Sequence, residues 1–233
     1  MSDSLKNRLK GILEAVIVFF SYLILPSIII IIVRKIFEIE DLMLCEDLTY
    51  LIYLIPLCLY YRKTFIEDAK TFKKDNYRIM VKYYLIGIGI MIISNLIINF
   101  VIFDGGIAEN ESLNRELLGS KPILGLILAG LLAPLLEELT FRRGFKNICD
   151  NKWIYVLITS FIFAFLHVST GLFVISETGE AYIDWIQLVY LIPYGAVGMA
   201  FALTYKETDN FYSNLLMHMI HNTATLLLIF MVN

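Results

Sequence analysis

Charge is scarce in this sequence. Only 18% of its 233 residues are Asp, Glu, Lys or Arg, against roughly 25% in ordinary soluble domains. Neither sign dominates: 19 Lys and Arg stand against 22 Asp and Glu. The resulting net charge of −3 and pI of about 5.6 exclude the basic surface that a nucleic-acid-binding protein needs. Cysteine is scarce too. Cys45, Cys58 and Cys149 form no C-x-x-C pair and no even framework, so neither a disulfide scaffold nor a thiolate zinc site is indicated. They read instead as small buried hydrophobes. The chain has no internal repeat and no low-complexity segment. Its excess is apolar: 58% of residues and a mean hydropathy of +0.72, far too much for a disordered chain.

The apolar residues fall into runs. A bilayer core of roughly 30 Å needs about 20 mostly apolar residues per helix. Such runs occur at 11–33, 42–61, 79–103, 122–145, 153–175, 183–205 and 210–232. They predict an all-α membrane protein, a polytopic bundle of about seven transmembrane helices forming a single domain over 1–233. Of these, the second run is the shortest and carries Pro56, so it reads as a tilted or re-entrant element as readily as a full span. The first run follows Lys6, Arg8 and Lys10 like a signal peptide. It exceeds the usual apolar stretch of about 7–15 residues and lacks a small-residue cleavage site, so a retained helix is expected.

Basic residues sort across these spans. With the N-terminus inside, the outer segments hold only Arg34, Lys35, Arg115 and Lys121, and the other fifteen Lys and Arg lie on inner segments. The positive-inside rule therefore predicts N-in, C-out. Trp153 with Tyr155, and Tyr182 with Trp185, stand at span ends where aromatic belts belong. The inner loop 62–78 carries Phe65, Ile66, Ala69 and Phe72 at helical spacing among basic residues. That pattern fits an amphipathic helix in the headgroup plane or a solvated basic loop. Gly87, Gly89, Gly125, Gly130, Gly195 and Gly198 read as close helix-packing points.

Ionisable residues inside spans are costly and are functional candidates by default. Glu14 and Lys82 lie near span ends and can snorkel. The others concentrate in three places. In Glu137-Glu138-Leu139-Thr140-Phe141-Arg142, Glu138 and Arg142 are four apart, so they face each other on a helix. Glu137 is turned about 100° away and is free to point into a cavity. Pro134 just before it loosens the helix. Next, Phe163-Ala-Phe-Leu-His167 places a histidine inside the fifth span. The last span carries His218-Met-Ile-His221-Asn222, with His218 and Asn222 on one face. Each group alone also fits a structural role: a helix-end ion pair, a core histidine, interhelical polar contacts. Together they supply a general base, a second base or metal ligand, and an oxyanion donor, which suits water attack on an amide.

These three patterns resemble the motifs E-E-x-x-x-R, F-x-x-x-H and H-x-x-x-N of the CAAX protease and bacteriocin-processing (CPBP, or Abi) family of intramembrane proteases. The resemblance covers about 120–232, with 1–103 matching only as preceding transmembrane helices. It implies a helical membrane fold with the site in a cavity between helices. By the resemblance, Glu137 and His167 activate the water, His218 and Asn222 stabilise the oxyanion, and Glu138 with Arg142 forms a supporting pair. If a metal is used, Glu137, His167 and His218 would hold Zn2+ with water in the fourth position; no H-E-x-x-H is present. His221 is extra to the motif. The expected protein is a multi-pass endopeptidase of a bacterial cytoplasmic membrane. Its partners would be the lipid bilayer and a peptide or membrane-protein substrate, in peptide maturation or bacteriocin self-immunity. The rival readings are a non-catalytic immunity or sensor partner and a proton-coupled transporter. One geometric demand stands out. At about 1.5 Å per residue, His218 lies roughly 12 Å and His167 roughly 21 Å from the inner ends of their spans, so straight helices starting level would not align them.

Overall fold

In lipid every backbone N–H and C=O must find a partner within the protein, and a helix meets that demand inside one segment. The computed structural model of the chain describes residues 3–103, 107–176 and 179–232. Helix α1 runs Asp3–Phe37, α2 Leu42–Tyr60, α3 Arg62–Thr71 and α4 Lys74–Ile97, which continues as a π-turn over Ile98–Phe103. Helix α5 is Glu109–Ser120, α6 Pro122–Arg143, α7 Lys152–Leu172, α8 Leu191–Thr208 after a 3-10 turn at Trp185–Tyr190, and α9 Phe211–Val232. Six of these helices are long and apolar enough to cross a membrane, and seven if α2 and α3, bent by 71°, count as one span. The protein is thus a polytopic helical bundle. Its outer faces expose large apolar side chains such as Ile17, Ile31, Ile93 and Phe161, as lipid contact requires.

The loops gather at two ends. At one end, Arg8 meets Asp150 at 2.5 Å, Lys146 meets Asp209 at 2.6 Å and Lys152 meets Glu207 at 2.5 Å. Helix α3 is pinned there too. The Asp68 carboxylate accepts the Phe211 N–H at 2.7 Å, capping α9, and the Phe65 ring stands edge-on to Phe211 at 5.3 Å. The 62–78 stretch is therefore helical over Arg62–Thr71 and again from Lys74, where α4 begins, with Phe65 and Asp68 among the residues that anchor the first helix. At the opposite end Lys121 pairs with Asp41. Helix α2 consequently runs the height of the body, its 19 residues rising about 28 Å.

Several expectations change. The fifth span stops at Leu172, and Phe173–Ile175 (β1) pairs antiparallel with Ala181–Ile183 (β2), Phe173 opposite Ile183. The outer segment between the third and fourth predicted spans holds helix α5. Tyr155 is fully buried rather than at the interface, and its hydroxyl donates to the Arg142 carbonyl at 3.0 Å. Glu14 does not reach out to water but meets Arg143 at 3.4 Å. Gly87 and Gly198 are close-packing points: a Cβ on Gly87 would lie 2.6 Å from Ala200 Cβ, and one on Gly198 3.3 Å from Ser160 Cα. Gly125 and Gly130 are also tight, at 3.2 Å from Leu117 and Thr223. Gly89 has nothing within 4 Å and Gly195 only Ala164 Cβ at 4.0 Å, so these two do no such work. Of the cysteines, Cys45 is buried while Cys58 and Cys149 are half-buried, and all three are free.

Candidate active site

Helix α6 is not a uniform α-helix. Pro134 has no N–H, and its ring would collide with the carbonyl four residues back. A π-turn over Leu128–Leu132 opens the backbone at that point. A second π-turn covers Glu138–Arg143, closed by Gly144 N–H donating to Leu139 O at 2.9 Å. Single π-turns inside α-helices recur at functional sites because they re-aim side chains. Here they turn Glu137 to one side and Glu138 to the other.

Glu138 and Arg142 are fully buried, with Oε2 3.5 Å from Nε. A buried ion pair offsets its desolvation only when further hydrogen bonds support it; here they are complete around Glu138, while Arg142 makes one through Nη2 and its Nε and Nη1 make none. Asn214 Nδ2 donates to Glu138 Oε2, and His218 Nδ1 lies 2.7 Å from Glu138 Oε1. The Arg142 guanidinium donates to Gly198 O at 3.2 Å and lies over the rings of Phe163 (4.8 Å) and Phe201 (5.6 Å). The close approach at Gly198 is what lets α8 offer that carbonyl.

Glu137 has none of this support. It is 8% exposed, its Oε2 has no hydrogen-bond partner, and it lines a cavity of about 730 Å³ between the helices. The atom facing it is His218 Nε2, 3.8 Å away. His218 is held in place, since its Nδ1 is committed to Glu138 and its ring stacks on Phe201 at 4.3 Å. A carboxylate acceptor fixes the proton on Nδ1 and leaves Nε2 to the cavity. At 3.8 Å the two atoms are too far apart for a direct hydrogen bond, but both can bond one water between them.

His167, His221 and Asn222 line the same cavity. His167 Nδ1 bonds Phe163 O at 2.8 Å, so its Nε2 is the free nitrogen. Both histidine rings contact the Phe163 ring, at 4.2 Å for His167 and 5.7 Å for His218. Asn222 spends one N–H on Ala129 O at 2.8 Å, where the first π-turn presents that carbonyl, and keeps the other. His221 Nδ1 has no partner, and its ring stands edge-on to Tyr84 and Phe201. Asn214 was missed in the sequence reading. Its signal was available: Asn214, His218 and Asn222 are spaced by four along one face of α9.

A zinc ion shared by Glu137, His167 and His218 does not fit this geometry. Among the described residues no three His, Cys, Asp or Glu side chains are grouped to hold a metal.

Residues 119–224 match the family model of the Type II CAAX prenyl endopeptidase Rce1-like proteins, a segment that holds all three motifs. The resemblance read from those motifs is therefore present in the C-terminal half of the chain. UPF0177 protein YxdF of Lactococcus lactis subsp. lactis is 28% identical over 130 residues, 55% of this chain and 60% of that protein. "Putative membrane peptidase YdiL" of Bacillus subtilis is 23% identical over 188 residues, 78% of this chain and 69% of that protein. The chain thus spans about 60% of the length of the first of these relatives. No solved structure matches it.

Proposed function

We propose that this Rce1-like membrane protein is an intramembrane endopeptidase that hydrolyses a peptide bond by glutamate-activated water. The observation that carries the reading is the pair of adjacent glutamates in opposite states. Glu138 is locked by Arg142, Asn214 and His218, while Glu137 is buried, unpartnered and aimed into a cavity opposite His218 Nε2. A carboxylate so placed takes a proton from a bound water as that water attacks the carbonyl carbon, with His167 as the second base in the same cavity. The developing oxyanion would receive the remaining Asn222 N–H and the Nε2–H of a protonated His218, whose two ring nitrogens face Glu137 and Glu138. The proton held on Glu137 then passes to the leaving amine. No step requires a metal. The family match and the printed name of the Bacillus relative support a peptidase. In this reading the site lies in a bacterial cytoplasmic membrane and serves peptide maturation or bacteriocin self-immunity.

The test is a comparison of membranes containing the wild-type chain with membranes containing Glu137→Gln. General-base loss costs about 10²–10⁴ in rate, so the expected result is an uncleaved substrate accumulating in the variant by quantitative proteomics. Unchanged cleavage at equal protein levels would overturn the reading. Activity is also expected to survive 1,10-phenanthroline.

A further inference from the structure

Beyond the level of Glu137 and His218, the cavity continues towards the end of the body that holds α5 and the β-hairpin. Leu42, Glu46 and Tyr50 of α2 face it at a spacing of four, and Asn110, Glu111 and Asn114 of α5 wall the other side. The charges along this wall have one sign. The described lining residues include four carboxylates, Glu46, Glu111, Glu116 and Glu137, and no Lys or Arg. The cation beside it, Arg115, is held by Glu111 through Nε at 3.1 Å and Nη2 at 2.6 Å. Glu46 is half-buried and has neither a hydrogen-bond donor nor a counter-ion among the described residues; the charge beside it, Asp47, has the same sign. At the far end of the same cavity the buried Oε2 of Glu137 is also unpartnered. A partly desolvated carboxylate without a donor has a large electrostatic gain to make from an incoming cation, because the interaction is screened far less than in water. Walls of one charge with low-dielectric surroundings also concentrate ligands of the opposite charge.

We propose that this half of the cavity is a specificity subsite for a cationic side chain of the substrate. Glu46 is its counter-charge and Glu111 stands alongside, so the enzyme selects peptides with Lys or Arg within a few positions of the scissile bond. The one-turn step from Tyr50 to Glu46, about 5.4 Å, matches between one and two residues of extended peptide at about 3.3 Å each. No Lys or Arg lines the reacting end, so a cationic side chain meets no fixed positive charge there. This inference rests on the peptidase reading and deepens it, and the two can fail separately.

The experiment uses the full chain in proteoliposomes with internally quenched random decapeptides, each library fixed at one scanned position as Lys, Gln or Glu. At one position or more, kcat/KM is expected to fall from Lys to Gln to Glu, with at least a tenfold span. Glu46→Gln should shrink the Lys-to-Glu ratio at least fivefold and Glu46→Lys should invert it. A ratio does not depend on the fraction of protein that is folded. The same libraries are measured by fluorescence anisotropy on the Glu137→Gln chain, where binding needs no turnover. Cleavage without charge preference overturns the subsite and leaves the peptidase reading standing. Charge-selective, Glu46-dependent binding without cleavage by the wild type does the reverse. Peptides of all three kinds that bind alike, or none that binds, overturn the subsite.

Discussion

Glu137 and Glu138 are adjacent in sequence, yet their surroundings could hardly differ more. Glu138 makes an ion pair with Arg142 and takes hydrogen bonds from Asn214 and His218. Removing one partner of a buried pair strands the other charge, which costs about 3–5 kcal/mol. Glu138→Gln should therefore lower the melting temperature of the detergent-solubilised protein sharply, and Arg142→Met should do the same. Glu137→Gln removes a side chain that supports nothing, so its melting curve should match the wild type even as cleavage is lost. If Glu137→Gln unfolds as readily as Glu138→Gln, the division of labour between the two glutamates is wrong. Much of this was legible from spacing, because i and i+4 residues meet on any helix. The clamp from Asn214 was not, since it depends on how α9 packs against α6.

At the scale of elements, α7 and α8 depend on one close approach. A Cβ on Gly198 would press on Ser160 Cα and on the Phe163 ring at 3.1 Å, and Gly198 O is an acceptor for Arg142. Overpacking of this kind costs about 1–3 kcal/mol. Gly198→Ala is expected to lower both thermal stability and cleavage, because it pushes α8 away from the guanidinium and Phe163 out of place. Gly195→Ala, one turn earlier with its nearest neighbour at 4.0 Å, should be neutral in both assays and serves as the control. Equal effects from the two substitutions would show that the Gly198 contact is not special. Sequence pattern alone ranked these glycines equally, since hydropathy does not say which face of a helix meets a neighbour. The bends in α6 were partly foreseeable from Pro134. The second π-turn over Glu138–Arg143 has no proline of its own and left no mark in the pattern.

The whole molecule places fifteen basic residues at the end that holds the N-terminus, α3 and the α8–α9 corner, against four at the other. The positive-inside rule predicts that end in the cytoplasm and the acidic mouth of the cavity outside, an orientation that labelling tests. With the three native cysteines replaced, single cysteines at Lys63 and at Lys35 should report this orientation. A membrane-impermeant maleimide is expected to label the Lys35 position in intact cells and the Lys63 position only after lysis. The reverse pattern would invert the topology and the side from which substrate enters.

Composition and hydropathy were enough to establish a multi-span helical membrane protein, because lipid permits few other structures to so apolar a chain. Spacing within helices was enough to nominate Glu137, Glu138, Arg142, His167, His218 and Asn222, because neighbours along one helix face are fixed by its 3.6-residue period. Which of those side chains meet across helices was settled by packing. Both histidine rings gather on Phe163, α2 and α5 wall the cavity, and Asn214 joins the Glu138 clamp. Contacts between segments far apart in the chain arise from how surfaces interlock, and the period of a single helix carries no record of its neighbours.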